Sequence, residues 1–364
     1  MSSRPKICLI YTGGTIGMRR RPTGQGGYVL CPPDDAENFL RHLQVEAEVA
    51  ALAEVDFVEL MNKDSSNIVP EDWTRMAVAV YERLDCGYAG FVIVHGTDTL
   101  HFSASALAFA FGKNLNHPIV FTGAQTTAEV VYGDARVNLL RAVKVACEDL
   151  AEVVVVFGDA IFRGCRVQKK DERRFDAFVS PAEPPLGYVT EYILLNKTAR
   201  KKDAQRPPVQ FEPHFSDGIL QIGITPGLRP AMLGALLQHQ DCRGVMLQGF
   251  GAGNIPDEGV YAWQEFIVLA TALQKPVLLV SPFAANATLH SRYAPGLAAI
   301  EAGAIAIGNM THAAAAVKFS WALYQVHRLI EQGRLKSAQM IGHVRAMMQT
   351  IHVGEMDETP LGIR

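Results

Sequence analysis

Residues 7–18 read ICLIYTGGTIGM, and the fold is decided by how this stretch is understood. Ile7 to Tyr11 is a short apolar run of the length expected for a buried strand. It passes directly into Thr12-Gly13-Gly14-Thr15. Paired glycines permit a tight turn and let a ligand approach the main chain closely. Two threonines therefore stand at the carboxyl end of a strand, the edge where open α/β sheets bind ligands. An ordinary strand-to-loop turn would read the same way. A phosphate cradle would need G-x-G-x-x-G or a closing G-K-[ST], and neither is present.

Outward from this stretch, strand and helix patterns alternate. Residues 19–28 are basic and glycine-rich and contain Pro22, which predicts a mobile surface loop, with Val29-Leu30 after it as a short hairpin strand. A helix is expected over 34–52, with Asp34 or Asp35 as its cap. Strands are expected at 56–60, 91–94, 118–122 and 153–157. Helices open at Pro70-Glu71-Asp72 and near Leu100, and another covers 134–148. The pattern weakens over 191–216, where Arg200-Lys201-Lys202 and Pro207-Pro208 suit a linker. A second series follows, with strands at 219–224, 244–248, 276–280 and 304–307 and helices at 230–240, 258–273 and 313–332. The expectation is two doubly wound α/β domains with helices on both faces. The larger, residues 1–190, is a flavodoxin-like parallel sheet carrying the catalytic groups. Residues 191–216 link it to the smaller α/β domain, 217–364.

Bulk properties narrow the function. The 364 residues suffice for two domains of ordinary size. With 49% hydrophobic and 20% charged residues, the chain can fill a core and is not disordered. A net charge of −3 gives no basic excess that would point to nucleic acid or an anionic membrane. The N-terminus enters the first strand within a few residues, leaving no room for a secretory leader. No apolar run reaches the roughly 18 residues of a membrane span, so a soluble, cytoplasmic protein is expected. The six cysteines form no C-x-x-C pair and the histidines no ligand cluster. They predict reduced thiols, no metal and no disulfide scaffold.

The chemistry concentrates on three loops, each after an expected strand. The first carries Thr15, the second Asp64, Ser65 and Ser66, and the third Thr97 and Asp98. Hydroxyls and carboxylates converging at one sheet edge suit acyl transfer, in which a nucleophile needs a base and an orienting partner. A lysine can complete a proton relay, and Lys169 and Lys170 lie in RGCRVQKKDERRFDAF, residues 163–178. Singly, each residue has a plainer reading. Ser65 suits an ST-turn, Asp98 a helix cap, and 169–174 a solvated charge run. His95 reads as structural.

Together, TGGTIGM at 12–18 and HGTDT at 95–99 resemble the two signatures of the bacterial-type asparaginase/glutaminase family. DSSN followed by PEDW resembles the substrate loop of its cytoplasmic type I members, and FDAF and Gly251-Ala252-Gly253-Asn254 fit as well. The resemblance implies hydrolysis of L-asparagine through a threonine acyl-enzyme, without metal or organic cofactor. Thr15 would be the nucleophile and Tyr28 the loop residue that closes over the substrate and hydrogen-bonds Thr15. Thr97, Asp98 and Lys169 would form the supporting triad; the offset from Arg163-Gly164 favours Lys169 over Lys170. Ser65 and Ser66 would hold the α-carboxylate, Asp98 would face the α-ammonium, and the Ala124 carbonyl would meet the leaving amide. A homodimer or homotetramer is implied, with Asn254 reaching a neighbour's site. Three alternatives stand beside the asparaginase at this stage. They are a broader asparaginase–glutaminase, the ammonia-supplying amidase component of a tRNA-dependent amidotransferase, and a non-catalytic amino-acid-binding protein. Residues 281–292 lack the effector-site cysteine of type I members, so activation by asparagine is not carried over.

Overall fold

A computed structural model describes residues 4–24, 26–31, 38–283 and 294–358. The chain divides into two compact units, Met1–Pro213 and His214–Arg364.

In the first unit, β1 (Lys6–Gly13) leads into a hairpin of β2 (Arg19–Pro22) and β3 (Tyr28–Cys31). Helices α1 (Phe39–Leu43) and α2 (Glu46–Leu52) precede β4 (Glu54–Lys63). There follow α3 (Pro70–Tyr81), β5 (Gly90–Val94), α4 (Leu100–Phe111), β6 (Ile119–Thr122), α5 (Ala135–Ala146) and β7 (Val153–Phe157). The strands β4, β1, β5, β6 and β7 lie side by side in that order and all pair in parallel. Numbered by their sequence among the parallel strands, this is the flavodoxin order 2-1-3-4-5, whose topological switch point lies between the first and third strands. Here those strands are β1 and β5.

Alternate residues of these strands, among them Ile7, Leu9, Tyr11, Val92, Val94, Val154 and Val156, share one apolar cluster with α1, α2 and α5. Helices α3 and α4 contact the strands too but contribute nothing to that cluster, as the opposite face requires.

The sheet is not parallel throughout. β8 (Ala160–Arg163), β11 (Gly187–Val189) and β12 (Ile193–Leu195) extend it antiparallel beyond β7, making eight strands. The β7–β8 turn is Gly158-Asp159, with Gly158 at φ 59°. A Gly-Asp pair between two apolar runs is a hairpin signal that the alternation of strand and helix masks. Between β8 and β11, the two-residue strands β9 (Gln168–Lys169) and β10 (Phe178–Val179) pair with each other. Of the segment expected as a linker, residues 191–213 belong to this unit and 214–216 to the second. The former contribute β12, and the Arg200 amide donates to Glu152 Oε1 at 2.8 Å.

Two local expectations change. Part of the loop at 19–28 is a strand, because Arg19–Pro22 pairs with Tyr28–Cys31 in antiparallel register. The single helix over 34–52 is two helices, broken at Gln44, whose φ of 51° is left-handed. Its caps Asp34 and Asp35 lie outside the described residues. Helix α3 begins as read: Pro70 occupies its first turn and Asp72 Oδ2 accepts the Val69 amide at 3.1 Å.

The second unit holds β13 (Ile219–Gly223), β14 (Gly244–Gln248), β15 (Val277–Val280) and β16 (Ile305–Ala306), parallel and in sequence order. The helix expected at 230–240 is a 3-10 turn followed by one short helix, α6 (Gly234–Leu237), with Gly234, a poor former in a helix interior, at the break between them. Then come α7 (Gln264–Ala272), α8 (Ala294–Glu301), α9 (His312–Glu331) and α10 (Met340–Gln349). After α10 the chain folds back. Glu355 meets Lys318 of α9 at 2.5 Å, both side chains fully buried, and Lys318 also donates to the carbonyls of Met348 and Thr350.

Candidate active site

The carboxyl ends of β1, β4, β5 and β6 touch one another through glycines. Gly14 has φ 96°, and a Cβ there would lie 2.5 Å from the Gly96 nitrogen. Only glycine lets the turn after β1 lie against the turn after β5. A Cβ on Gly96 would in turn meet Ser65 Oγ at 2.6 Å, and one on Gly123 the His95 carbonyl oxygen at 2.3 Å. The three expected loops, and a fourth after β6, therefore form one compact edge at the switch point.

Thr15 opens a single 3-10 turn, Thr15–Gly17, and is half-buried. Thr97 is buried, and its Oγ1 accepts from Lys169 Nζ at 2.9 Å. The same ammonium reaches Asp98 Oδ1 at 2.6 Å. The lysine side chain is 13% exposed and the aspartate 65%. One oxygen of the carboxylate is thus committed to Lys169 while the side chain stays largely exposed. The end of β9 sets the lysine choice. Lys169, its last residue, stands opposite Phe178 and faces Thr97 and Asp98, while Lys170, just past the strand, pairs with Asp176 at 2.9 Å on the surface. That contact, with help from Arg174, holds the Asp176 carboxyl below its usual range. The remainder of the charge run is the solvated face that its composition suggests.

Ser65 and Ser66 lie on the 3-10 turn Ser65–Asn67, capped by Asp64. Asp64 Oδ1 accepts from Ser66 Oγ at 2.7 Å and from its amide at 2.8 Å, which lowers the Asp64 pKa. Ser65 is buried with its hydroxyl against Gly96, and Ser66 is exposed. Thr99 Oγ1 donates to the Ser65 carbonyl at 2.7 Å, tying the second loop to the third. At the base of the second loop, Lys63 and the buried Asp72 pair at 2.6 Å.

Ala124 is buried directly after Gly123, whose carbonyl accepts from Asn138 Nδ2 at 2.9 Å. Gln125, which no sequence signature singles out, accepts the Thr97 hydroxyl at 3.0 Å. Its place at the end of β6, two residues after a strand-end glycine, was the available signal. His95 is structural. Its ring is 1% exposed, with Nδ1 on the Gly96 carbonyl at 2.7 Å and Nε2 on Ser103 Oγ at 2.9 Å. A carbonyl only accepts, so Nδ1 carries the proton and Ser103 donates to Nε2. Burial pushes the imidazole pKa down to about 4.

One expected residue of this unit stands apart from the cluster. Tyr28, on the β2–β3 hairpin, is 58% exposed and stacks under the Arg20 guanidinium at 4.5 Å; among the described residues no hydrogen bond joins it to Thr15. Asn254 lies in the second unit on a tight turn closed by the Phe250 amide and the Asn254 carbonyl at 2.7 Å. Among the described residues there is no group of three or more side chains suited to hold a metal, and no helix is long and apolar enough to cross a membrane.

This fold with this site places the chain among known proteins. Residues 6–201 match the family description "Asparaginase, N-terminal" and residues 219–332 match "Glutaminase/Asparaginase C-terminal domain". The chain belongs to the asparaginase family. An L-asparaginase of Thermococcus kodakarensis is 32% identical over 340 residues, 93% of this chain and 99% of that protein. The solved structure of the thermostable L-asparaginase from that organism has a TM-score of 0.81 at 30% identity, covering 97% of this chain and 100% of that one. L-asparaginase I from Vibrio cholerae has a TM-score of 0.80 at 29% identity, covering 98% and 100%. A component of the glutamyl-tRNA(Gln) amidotransferase of Methanosphaera stadtmanae is 27% identical over 98% of this chain and 78% of its own length.

Proposed function

We propose that this chain hydrolyses the side-chain amide of L-asparagine to L-aspartate and ammonia through an ester on Thr15. The observation that carries the reading is the contact of Lys169 with both Thr97 and Asp98 on the loop that packs against the Thr15 turn. Thr15 Oγ attacks the amide carbon, and the C–N bond breaks. The hydroxyl proton leaves with ammonia. Water then cleaves the ester and returns a proton to Thr15. Backbone N–H groups near Thr97 stabilise the oxyanion.

Ser65 and Ser66 take the α-carboxylate, Asp98 the α-ammonium, and the Ala124 carbonyl the amide that departs. Tyr28 closes on Thr15 when the hairpin bends over bound substrate. The chain works in the cytoplasm as a homodimer or homotetramer, with Asn254 of one copy completing the site of the next.

The test is ammonia release from asparagine by the purified chain. Thr15→Ala and Thr97→Ala are each expected to lose at least about 100-fold in kcat while melting normally. Wild-type turnover by Thr15→Ala removes the nucleophile assignment. Fixing the α-groups places the longer side chain of glutamine badly, so kcat/KM for asparagine should exceed that for glutamine by roughly 10- to 200-fold. Equal values select the broader asparaginase–glutaminase. The amidotransferase relative favours a second reading, an ammonia-supplying component of a larger enzyme. That reading predicts little hydrolysis by the isolated chain.

A further inference from the structure

We infer that Gln125 is a positioning residue that sets the direction of the Thr97 hydroxyl proton. This rests on the functional reading above, in which Thr97, Asp98 and Lys169 act together. The side-chain amide of Gln125 is oriented by partners of fixed polarity. Its Nε2 donates to the carbonyl of Asp171 at 3.1 Å and to that of Arg174 at 3.5 Å. Carbonyls only accept, so the nitrogen end faces the 171–174 turn and the oxygen end faces Thr97.

Gln125 Oε1 has no proton to give. The 3.0 Å contact with Thr97 Oγ1 is therefore a bond in which threonine donates. A threonine hydroxyl has one proton, so the contact with Lys169 at 2.9 Å must use a threonine lone pair and a lysine N–H. Gln125 thereby fixes the order of protons along Lys169, Thr97 and Gln125, and it does so from outside the TGGTIGM and HGTDT stretches.

Gln125 is itself held at its backbone. Its amide donates to Asp134 Oδ2 at 2.9 Å, and Asp134 Oδ1 takes the neighbouring amide of Thr126. Asp134 is buried at the start of α5. The hydroxyl of Thr97 is thus referenced to α5 through one side of Gln125 and to the 171–174 turn through the other. With the acceptor removed, the hydroxyl rotates among other partners and presents the wrong atom to the relay for part of the time.

The experiment compares Gln125→Met with Gln125→Glu. Methionine keeps the length and removes both the acceptor and the donor. Glutamate keeps an acceptor for Thr97, loses the bonds to Asp171 and Arg174, and adds a negative charge one hydroxyl away from Lys169. Steady-state asparagine hydrolysis and thermal melting are measured for both and for wild type. For Gln125→Met, kcat should fall roughly 10- to 100-fold with KM within about twofold and unchanged melting. Gln125→Glu should keep kcat within about fivefold of wild type. Wild-type kcat in Gln125→Met overturns the inference. An equal fall in both variants also overturns it, placing the effect in the 171–174 tether. Should Gln125→Met not fold, Gln125→Ala, which empties the position, serves in the same comparison. A wild-type chain inactive on asparagine defeats the functional reading instead, and the two failures are distinct.

Discussion

Lys169 and Lys170 are neighbours in sequence with opposite environments. β9 ends at Lys169, which faces Thr97 and Asp98, while Lys170, just past the strand, pairs with Asp176 on the surface. Composition alone favours solvent for both, and only the two-residue pairing with β10 separates them. His95 is the inverse case, a histidine close to the reactive threonines that is buried and neutral. Its unfolded imidazole titrates near 6.5 and the folded one near 4. Between those values the unfolded chain binds a proton that the folded chain does not. Stability should therefore fall as pH drops below about 6.5, and the loss should be complete below about 4. The shift corresponds to about 3 kcal/mol. Chemical denaturation at pH 7.5 and pH 4.5 measures it. In His95→Gln the drop should be smaller by most of that amount; an unchanged drop assigns the pH dependence elsewhere.

At the scale of elements, the site depends on how closely strand ends approach. Gly14→Ala should damage both folding and activity, because its Cβ would meet backbone at Gly96 and because a φ of 96° is unfavourable for alanine. A loss of at least about 2 kcal/mol in unfolding free energy is expected, with activity falling further. An alanine variant with native stability would mean that the two turns can separate. The C-terminal return makes a different kind of contact. Glu355 and Lys318 are both fully buried, and the Glu355 carboxyl is held below its usual value by Lys318 against the opposing effect of burial. Glu355→Gln leaves a buried ammonium without its counter-charge, at an expected cost of about 3–5 kcal/mol. Replacing both partners, as Lys318→Met with Glu355→Leu, should recover most of that loss. A double variant as unstable as the single one would show that the pair itself, and not the stranded charge, sustains the fold.

For the whole molecule, the parallel frame was legible because its strands are apolar runs ending in glycine or hydroxyl residues. Val153–Phe157 and Gly244–Gln248 form as read, and Thr15, Ser65, Thr97 and Asp98 fall on the strand-end loops where their sequence context puts them. What the sequence concealed was short and tertiary. The strands β8, β11 and β12 have three or four residues each, too few for a periodicity to emerge. Gln125 acts through partners far along the chain, which no local pattern reports. Assembly is tested in solution. Light scattering under turnover conditions should give two or four copies, and Asn254→Ala should lower activity without dissociating them. A fully active monomer rejects a site shared between copies.

The flavodoxin order of the first sheet also has a temporal consequence. β1 comes early in the sequence but lies between β4 and β5, and Lys169 meets Thr97 and Asp98 across separations of 72 and 71 residues. Such pairings close long loops before they gain anything from contact, which slows the late stages of folding. Helices such as α4 and α5 can form from local contacts long before the reactive groups meet. Catalysis in this chain is then expected to be a late event of self-assembly: on refolding from denaturant, the helical circular-dichroism signal should return before turnover does.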